Sequence, residues 1–413
     1  MLLPGSVSIS AAKIGGYRWV VLVAYMWGAA VSQLLWLNFA PVTPLVENLF
    51  HVSEFEVGLL SMVFPLLYIP ISIPSGVLTD SKGYRVSVAI GVIFMAVFSV
   101  LRVFSRDFTM LLLFQGCIAI GQPFVMNSVS KLAATWFPRK ERVLATGLGS
   151  MALLLGMMIS LSVTPFLTLS YGFDSMLMAY SAIAVLGALL FLIVARAKPA
   201  IAVEPDEVSE TLTGKALRRV VRSRDIGLLS AAFFIGVGLF TALATWLEKI
   251  LEPFGISITD AGIVGGIFIV GGIVGSIVIP ALSDKTGRRK PFLVGDLLVS
   301  AAALMIFVTG GSFLFILACA FVLGFFLMPS LPIGLQVSAE LVGSSMAGTA
   351  ASVLWLFSQI GSVVFIVLME SVKTTLGSFQ YSIVVLVVLD LVAAGLCSRI
   401  TETGRKLQSA SHQ

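Results

Sequence analysis

Gly76-Val-Leu-Thr-Asp80-Ser-Lys82-Gly83-Tyr-Arg85 and Pro280-Ala-Leu-Ser-Asp284-Lys285-Thr-Gly287-Arg288-Arg289 are the two stretches that decide how this chain is built. Asp80, Gly83 and Arg85 return as Asp284, Gly287 and Arg289, each 204 residues later. Each stretch is a short charged turn between two long apolar runs. The glycine permits a tight turn that other residues resist. The aspartate stands at a helix end, where it can cap a neighbouring helix N-terminus or pair with Arg85. A single cluster of this kind would be an ordinary positive anchor. Two at a matched offset are expected to be latches (Asp80, Gly83, Arg85 and Asp284, Gly287, Arg288, Arg289) that hold one face shut in one state and release it in another. Two parallel halves with a site between them describe a rocking carrier.

Composition points the same way. Of 413 residues, 58% are hydrophobic and 11% charged, and the mean hydropathy is +1.04. A soluble domain carries about 25% charged residues, so a soluble enzyme, a nucleic-acid binder and a disordered tail are excluded. A membrane helix needs about 20 apolar residues. Apolar runs between charge clusters give twelve, near 17–46, 54–79, 85–105, 108–137, 142–169, 174–196, 226–251, 259–282, 290–310, 312–339, 344–371 and 377–398. The expected fold is an all-α polytopic membrane protein of twelve transmembrane helices in two six-helix, pseudo-symmetric halves. Residues 1–196 form the N-terminal half, 197–225 a cytoplasmic linker, 226–400 the C-terminal half and 401–413 a cytoplasmic tail.

The linker is acidic first (Glu204, Asp206, Glu207, Glu210) and then basic (Lys215, Arg218, Arg219, Arg222, Arg224). Its basic part is expected as a helix on an anionic membrane face. With the N-terminus inside, 22 of the 26 Lys and Arg are cytoplasmic, leaving Arg102, Arg106, Lys249 and Lys373 outside. This bias puts both termini in the cytoplasm and makes the net charge of +5 a topology signal. The expected location is the cell membrane. The first apolar run lacks a small-residue cleavage pattern, so no removable leader is expected. Cys117, Cys319 and Cys397 lie in apolar runs without CxxC spacing, and His51 and His412 are the only histidines. No metal, cofactor, nucleic acid or enzymatic nucleophile is expected.

The GxxxDxxGxR-type turn after span 2, repeated after span 8, resembles the signature of the major facilitator superfamily, and the likeness covers the whole chain. The resemblance implies a monomeric secondary transporter with a cavity lined by spans 1, 4, 7 and 10, helped by 2, 5, 8 and 11. The middles of those spans contain no Asp, Glu, His, Lys or Arg, whereas proton-driven carriers need a titratable group there. Asp296 and Asp390 do lie inside spans 9 and 12. Asp296 is expected to pair with the basic turn Arg288–Lys290, and Asp390 has no assigned role. Many proton-coupled members carry an Arg three residues before a Gln-Gly pair in span 4. Here Leu112 precedes Gln115-Gly116. Gly156 and Pro165 do not amount to the span 5 signature of drug/proton antiporters.

A second resemblance is narrower. Leu35-Trp36-Leu37-Asn38-Phe39-Ala40-Pro41-Val42, Leu132-Ala-Ala-Thr-Trp136-Phe137-Pro138, Ala261-Gly262 with Gly271-Gly-Ile-Val-Gly275-Ser276, Leu323-Gly324-Phe325-Phe326 with Leu331-Pro332-Ile333-Gly334, and Ser358-Gln359-Ile360 are similar to stretches of the feline leukaemia virus subgroup C receptor family. That resemblance implies facilitated transport of choline and ethanolamine, with haem export also proposed for members. It implies substrate contacts at Trp36 in span 1, Gln122 in span 4 and Gln359 in span 11. It also implies an aromatic in span 7, where the aligned residue is Thr241 and the neighbour is Phe240. Aromatic faces bind a quaternary ammonium at about 0.5–2 kcal/mol per contact, and a hydroxyl end needs a polar partner.

Helical spacing groups Gln33 with Trp36, Gln115 with Gln122, and Trp355 with Gln359, Ser352 and Ser362, each on one face. Trp355, Gln33 and Asn127 join the candidate site, with Gln336 behind them. Trp246 and Trp136 are expected as belt anchors at the outer and cytoplasmic interfaces. Pro41, Pro44, Pro65, Pro70, Pro74, Pro123, Pro329 and Pro332 are expected to bend their helices. The expected function is alternating-access uniport of a small organic cation. The alternatives are export of haem or another amphipathic metabolite, proton-coupled efflux, and a non-transporting receptor.

Overall fold

The structure is a computed structural model that describes residues 16–199, 214–343 and 346–403. Among the described residues twelve helices are long and apolar enough to cross a membrane. Spans 1 to 6 are Tyr17–Phe50, Glu54–Lys82, Tyr84–Val103, Phe108–Trp136, Lys140–Tyr171 and Phe173–Val194. Spans 7 to 12 are Arg224–Phe254, Ile258–Thr286, Lys290–Val308, Phe313–Val342, Ala347–Leu376 and Phe379–Ser398. Their number and order are those read from the sequence, with edges moved by a few residues. Because the number is even, both described ends of the chain and the segment between the halves lie at one end of the bundle, the linker end. The opposite end is the far end.

Local sequence sets where the helices begin. Of the six spans that start at the far end, spans 2, 4, 8, 10 and 12 each have a side-chain cap, and span 6 starts after Gly172 without one. Ser53 and Glu56 form a capping box, Asp107 accepts from Met110 N at 2.8 Å, and Ser257, Ser312 and Ser378 accept from Asp260, Phe315 and Gln380. These caps satisfy amides that the helix itself leaves unpaired. Span 2 ends at Gly83 with φ +86°, and span 8 ends at Gly287 with φ +63°. A side chain would strain both turns.

Three spans are broken. Span 1 leaves the α-helix after Leu37 and resumes at Thr43, with Pro41 in a single 3-10 turn between. Span 4 breaks after Met126, and span 10 between Leu327 and Ser330. Span 2 carries Pro65, Pro70 and Pro74 and stays helical throughout.

The halves repeat one close crossing. Gly156 of span 5 lies against the Ala30 backbone of span 1, and Gly361 of span 11 lies against the Phe234 backbone of span 7. Small residues let membrane helices approach this closely. The basic linker segment forms a helix, Gly214–Val221. Its Val220 is buried with Ile226, Ala350 and Val353, so the helix docks on the C-terminal half while Arg218 and Arg219 face outward. The acidic run Glu204–Glu210 lies outside the described residues.

Gly361→Ala would drive a methyl group into the Phe234 carbonyl. It is expected to cost about 1–3 kcal/mol, read as a lower thermal midpoint in detergent. An unchanged midpoint would mean that close approach is not what this glycine provides.

Candidate functional site

Gln122 and Gln359 stand halfway along spans 4 and 11, and their amides are unengaged. Gln122 is only 4% exposed, Gln359 is half-buried, and among the described residues neither side chain makes a hydrogen bond. Neither amide is among the buried polar atoms left without a partner, so both reach accessible surface and are open to a ligand. Trp355, one turn from Gln359, is half-buried and its indole N–H is also unengaged.

Other candidates are already bound. Asn127 accepts from Tyr68 Oη at 2.7 Å and donates to Ser75 Oγ at 2.8 Å, tying span 4 to span 2 beside its break. Thr241 donates to Val237 O and shares a hydrogen bond with Ser362 at 2.9 Å, so it faces span 11. Phe240 stacks on Phe268 of span 8, centroids 5.7 Å apart. Gln33 is buried, its amide nitrogen on Ser32 Oγ at 3.2 Å and its Oε1 without a partner.

Trp36 belongs to the break in span 1. Its indole donates to Ser61 O at 2.9 Å and its ring lies 6.4 Å from Phe64. It is 8% exposed. The break frees carbonyls that neighbours must satisfy. Ser160 Oγ donates to Leu34 O at 2.9 Å, and Gln115 Nε2 donates to Leu35 O at 3.0 Å and Leu60 O at 3.3 Å. Arg102 in turn donates to Gln115 Oε1 and lies 5.0 Å over the Phe39 ring. Arg102, assigned to the outer side by the charge bias, is fully buried at its end of span 3. It follows its helix inward because the carbonyl-rich break supplies a partner through Gln115.

The far end is closed between the halves. Lys249 of span 7 lies 2.8 Å from Glu47 and 4.0 Å from Glu54, and Lys373 of span 11 pairs with Glu54. Beneath them Trp246 is completely buried. It presses on Gly58 of span 2 and donates to Ile366 O at 3.2 Å. Trp246 is thus a plug between halves and not a belt anchor, because Gly58 leaves a recess for the ring. Gly262, Gly265 and Gly266 of span 8 complete the seal against Leu161, Ser162 and Pro165 of span 5.

At the linker end the two motif copies differ. Arg289 pairs with Asp284 at 2.5 Å and Glu340 at 3.3 Å. Gln336 donates to Glu340 at 3.2 Å, and the Arg289 amide to Glu402 at 2.8 Å. Arg288 is exposed, its carbonyl accepting from Ser283 at 2.7 Å. In the first copy Arg85 donates to Ala195 O at 2.7 Å and does not pair with Asp80, which is exposed. The position 204 residues before Glu340 is Trp136, so Arg85 lacks the second carboxylate that holds Arg289. Trp136 is buried and donates to Tyr84 Oη at 2.7 Å, which removes it from the interface belt.

Asp296 does not meet the basic turn. It is buried with Oδ2 unpartnered, and Arg289 of that turn is taken by Asp284 and Glu340. Asp390 is buried and accepts from Ser300 of span 9 at 2.5 Å. Sequence reasoning missed the Arg102–Gln115 pair and the far-end ion network. The available signal was that Arg102, Lys249 and Lys373 are exceptions on a face poor in Lys and Arg.

The chain matches the Major Facilitator Superfamily over residues 25–366. An uncharacterized protein of Archaeoglobus fulgidus is 44% identical over 190 residues, 46% of this chain and 88% of that protein. The choline/ethanolamine transporter flvcr2a of Danio rerio is 26% identical over 443 residues, 98% of this chain and 93% of that one. Among solved structures, a bacterial homolog to the human lysosomal transporter Spinster, in an inward-facing and unoccupied conformation, superposes with a TM-score of 0.74 at 18% identity, covering 95% of this chain and 98% of that one.

Replacing each glutamine by methionine keeps the volume and removes the amide. Gln115→Met leaves Arg102 and the Leu35 carbonyl unpaired and is expected to cost on the order of 3 kcal/mol. Gln122→Met and Gln359→Met are expected to stay within about 0.5 kcal/mol of the parent. Thermal unfolding in detergent checks the contrast, and equal losses at all three positions would contradict it.

Proposed function

This chain belongs to the Major Facilitator Superfamily and is a membrane transporter of that family, and from that premise we propose that it is a uniporter of a small organic cation of the choline or ethanolamine kind. The linker end then faces the cytoplasm with both termini, the far end faces outside, and the membrane is the cell membrane. The described conformation is then the one closed to the outside.

The observation that carries this reading is the pair of unengaged mid-span amides, Gln122 in one half and Gln359 in the other. A solute that joins them connects the two halves, so its binding reports on their relative position. An alcohol hydroxyl can donate to an amide oxygen and accept from an amide N–H. The ammonium end needs no hydrogen bond and is served by aromatic faces, for which Trp355, Trp36 and Phe240 are the candidate mid-span rings. Thr241, spent on Ser362, leaves hydroxyl recognition to the two glutamines. The charge-free middles of the lining spans disfavour a carboxylated porphyrin, which would enter without a basic partner. The choline/ethanolamine relatives in Danio rerio and other animals support the same substrate class.

Labelled choline is expected to enter proteoliposomes saturably without any ion gradient. Gln122→Ala or Gln359→Ala should lower kcat/KM at least about tenfold, the loss of one well-placed hydrogen bond of about 1.5 kcal/mol. Full uptake by both variants would overturn the site. Uptake that required a proton gradient would favour coupled transport, for which Asp296 and Asp390 are the buried carboxyls to test.

A further inference from the structure

Five carboxylates and two ammonium groups meet at the closed far end. Glu47 and Glu54 come from the N-terminal half, and Glu248, Glu252 and Glu370 come from the C-terminal half with Lys249 and Lys373. Lys249 Nζ lies 2.8 Å from Glu47, 3.5 Å from Glu252 and 4.0 Å from Glu54, and Lys373 pairs with Glu54. The formal sum is three negative charges in excess.

Two of these carboxylates have no ammonium group of their own. Glu248 is 5% exposed and Glu370 8% exposed, and the Oε2 atom of each has no hydrogen-bond partner. Glu370 Oε1 accepts only from Thr374 at 3.1 Å. Both lie within electrostatic reach of Glu47 and Lys249. Burying carboxylates without a matching cation is unfavourable, so the cluster is under-compensated as it stands.

The lining is also aromatic. Trp246 packs on Phe379 with centroids 5.4 Å apart, and the Lys373 ammonium sits 5.7 Å from the Phe379 ring centroid. Carboxylates beside an aromatic face are what an organic ammonium needs. A small metal ion would instead call for several converging oxygens around one point, and no metal-ligating group is found among the described residues.

We propose that the far end is a docking site for an incoming organic ammonium, occupied in the closed state by the tethered ammonium groups of Lys249 and Lys373. This rests on the reading of the protein as a cation carrier and adds how the outer gate recognises its substrate. An arriving cation exchanges with Lys249 among Glu47, Glu248 and Glu370. The exchange keeps the charge of the cluster as it was and frees the lysine that bridges the halves. Substrate charge and gate opening are then one event, and a neutral solute cannot trigger it.

In proteoliposomes at low salt, the pair Glu248→Gln/Glu370→Gln is expected to raise the KM for choline about tenfold by weakening the local attraction, with kcat changed by less than about twofold. Neither residue holds an ion pair between the halves, so a purely structural role would leave KM unmoved, and an unchanged KM overturns the proposal. Glu370→Gln alone serves if the double variant fails to fold. A second readout needs no transport. A cysteine is placed at exposed Asn48, beside Glu47, in a chain whose Cys117, Cys319 and Cys397 are alanine. It is treated with methanethiosulfonates bearing either a trimethylammonium or a sulfonate group. The cationic reagent is expected to react about tenfold faster, with the preference lost in the glutamine variants. Equal rates overturn the docking site even if choline is carried. A cationic preference without choline uptake supports the docking site and overturns the choline reading.

Discussion

Inside a bilayer no water is available to a freed carbonyl, and span 1 frees several because its α-helix stops at Leu37. The N-terminal half is arranged around satisfying them. Ser160 reaches in from span 5 and Gln115 from span 4, and Arg102 holds Gln115 in place from span 3. Trp36, at the end of the same helix, bonds the Ser61 carbonyl of span 2. Five of the six spans of this half thus converge on one break. The 3-10 turn Ala40–Val42 that follows is carried toward the C-terminal half, and the short helix after it delivers Glu47 to Lys249. The far-end seal is therefore a consequence of where span 1 stops being helical.

The two halves share their packing and differ in their charge. The Gly156–Ala30 crossing has its counterpart in Gly361–Phe234, which keeps the helices of each half at the same spacing. At the linker end the counterpart of Glu340 is Trp136, and the symmetry ends there. The second half closes its motif with an ionic cluster around the buried Arg289 that includes the exposed Asp284, whereas the first uses hydrogen bonds from Tyr84 and Arg85 to backbone carbonyls and leaves Asp80 exposed. Exposed charges contribute little while separated, and surface pairs bring about 0–1 kcal/mol. Asp80 is the member of the first copy that no ion pair holds among the described residues, while Arg85 keeps its bond to the Ala195 carbonyl.

Twelve spans were legible because lipid demands long apolar runs and because charged turns separate them. The duplication was legible because Asp80, Gly83 and Arg85 sit at strict offsets from their partners. Side-chain direction was not. Asn127 and Thr241 have the residue types of a binding site, yet one bonds Tyr68 and the other Ser362, and spacing along one helix does not say which neighbour a polar group will find. Trp246 resembled an interface anchor because its recess is made by Gly58, nearly 190 residues away in sequence. The burial of Arg102 was not legible because a cation at a span end usually turns to water. Only the break in span 1, seen in three dimensions, explains why it turns inward.

If the two halves rock about a site between Gln122 and Gln359, one end opens as the other closes. Distances between spin labels test it most directly. One pair would join Asn48 to Thr375 across the far end, and the other Ser81 to Lys285 across the linker end, all four being exposed. In liposomes, with and without choline, the far-end distance is expected to lengthen in the same population in which the linker-end distance shortens. Two distances that stay fixed, or that lengthen together, would contradict the account.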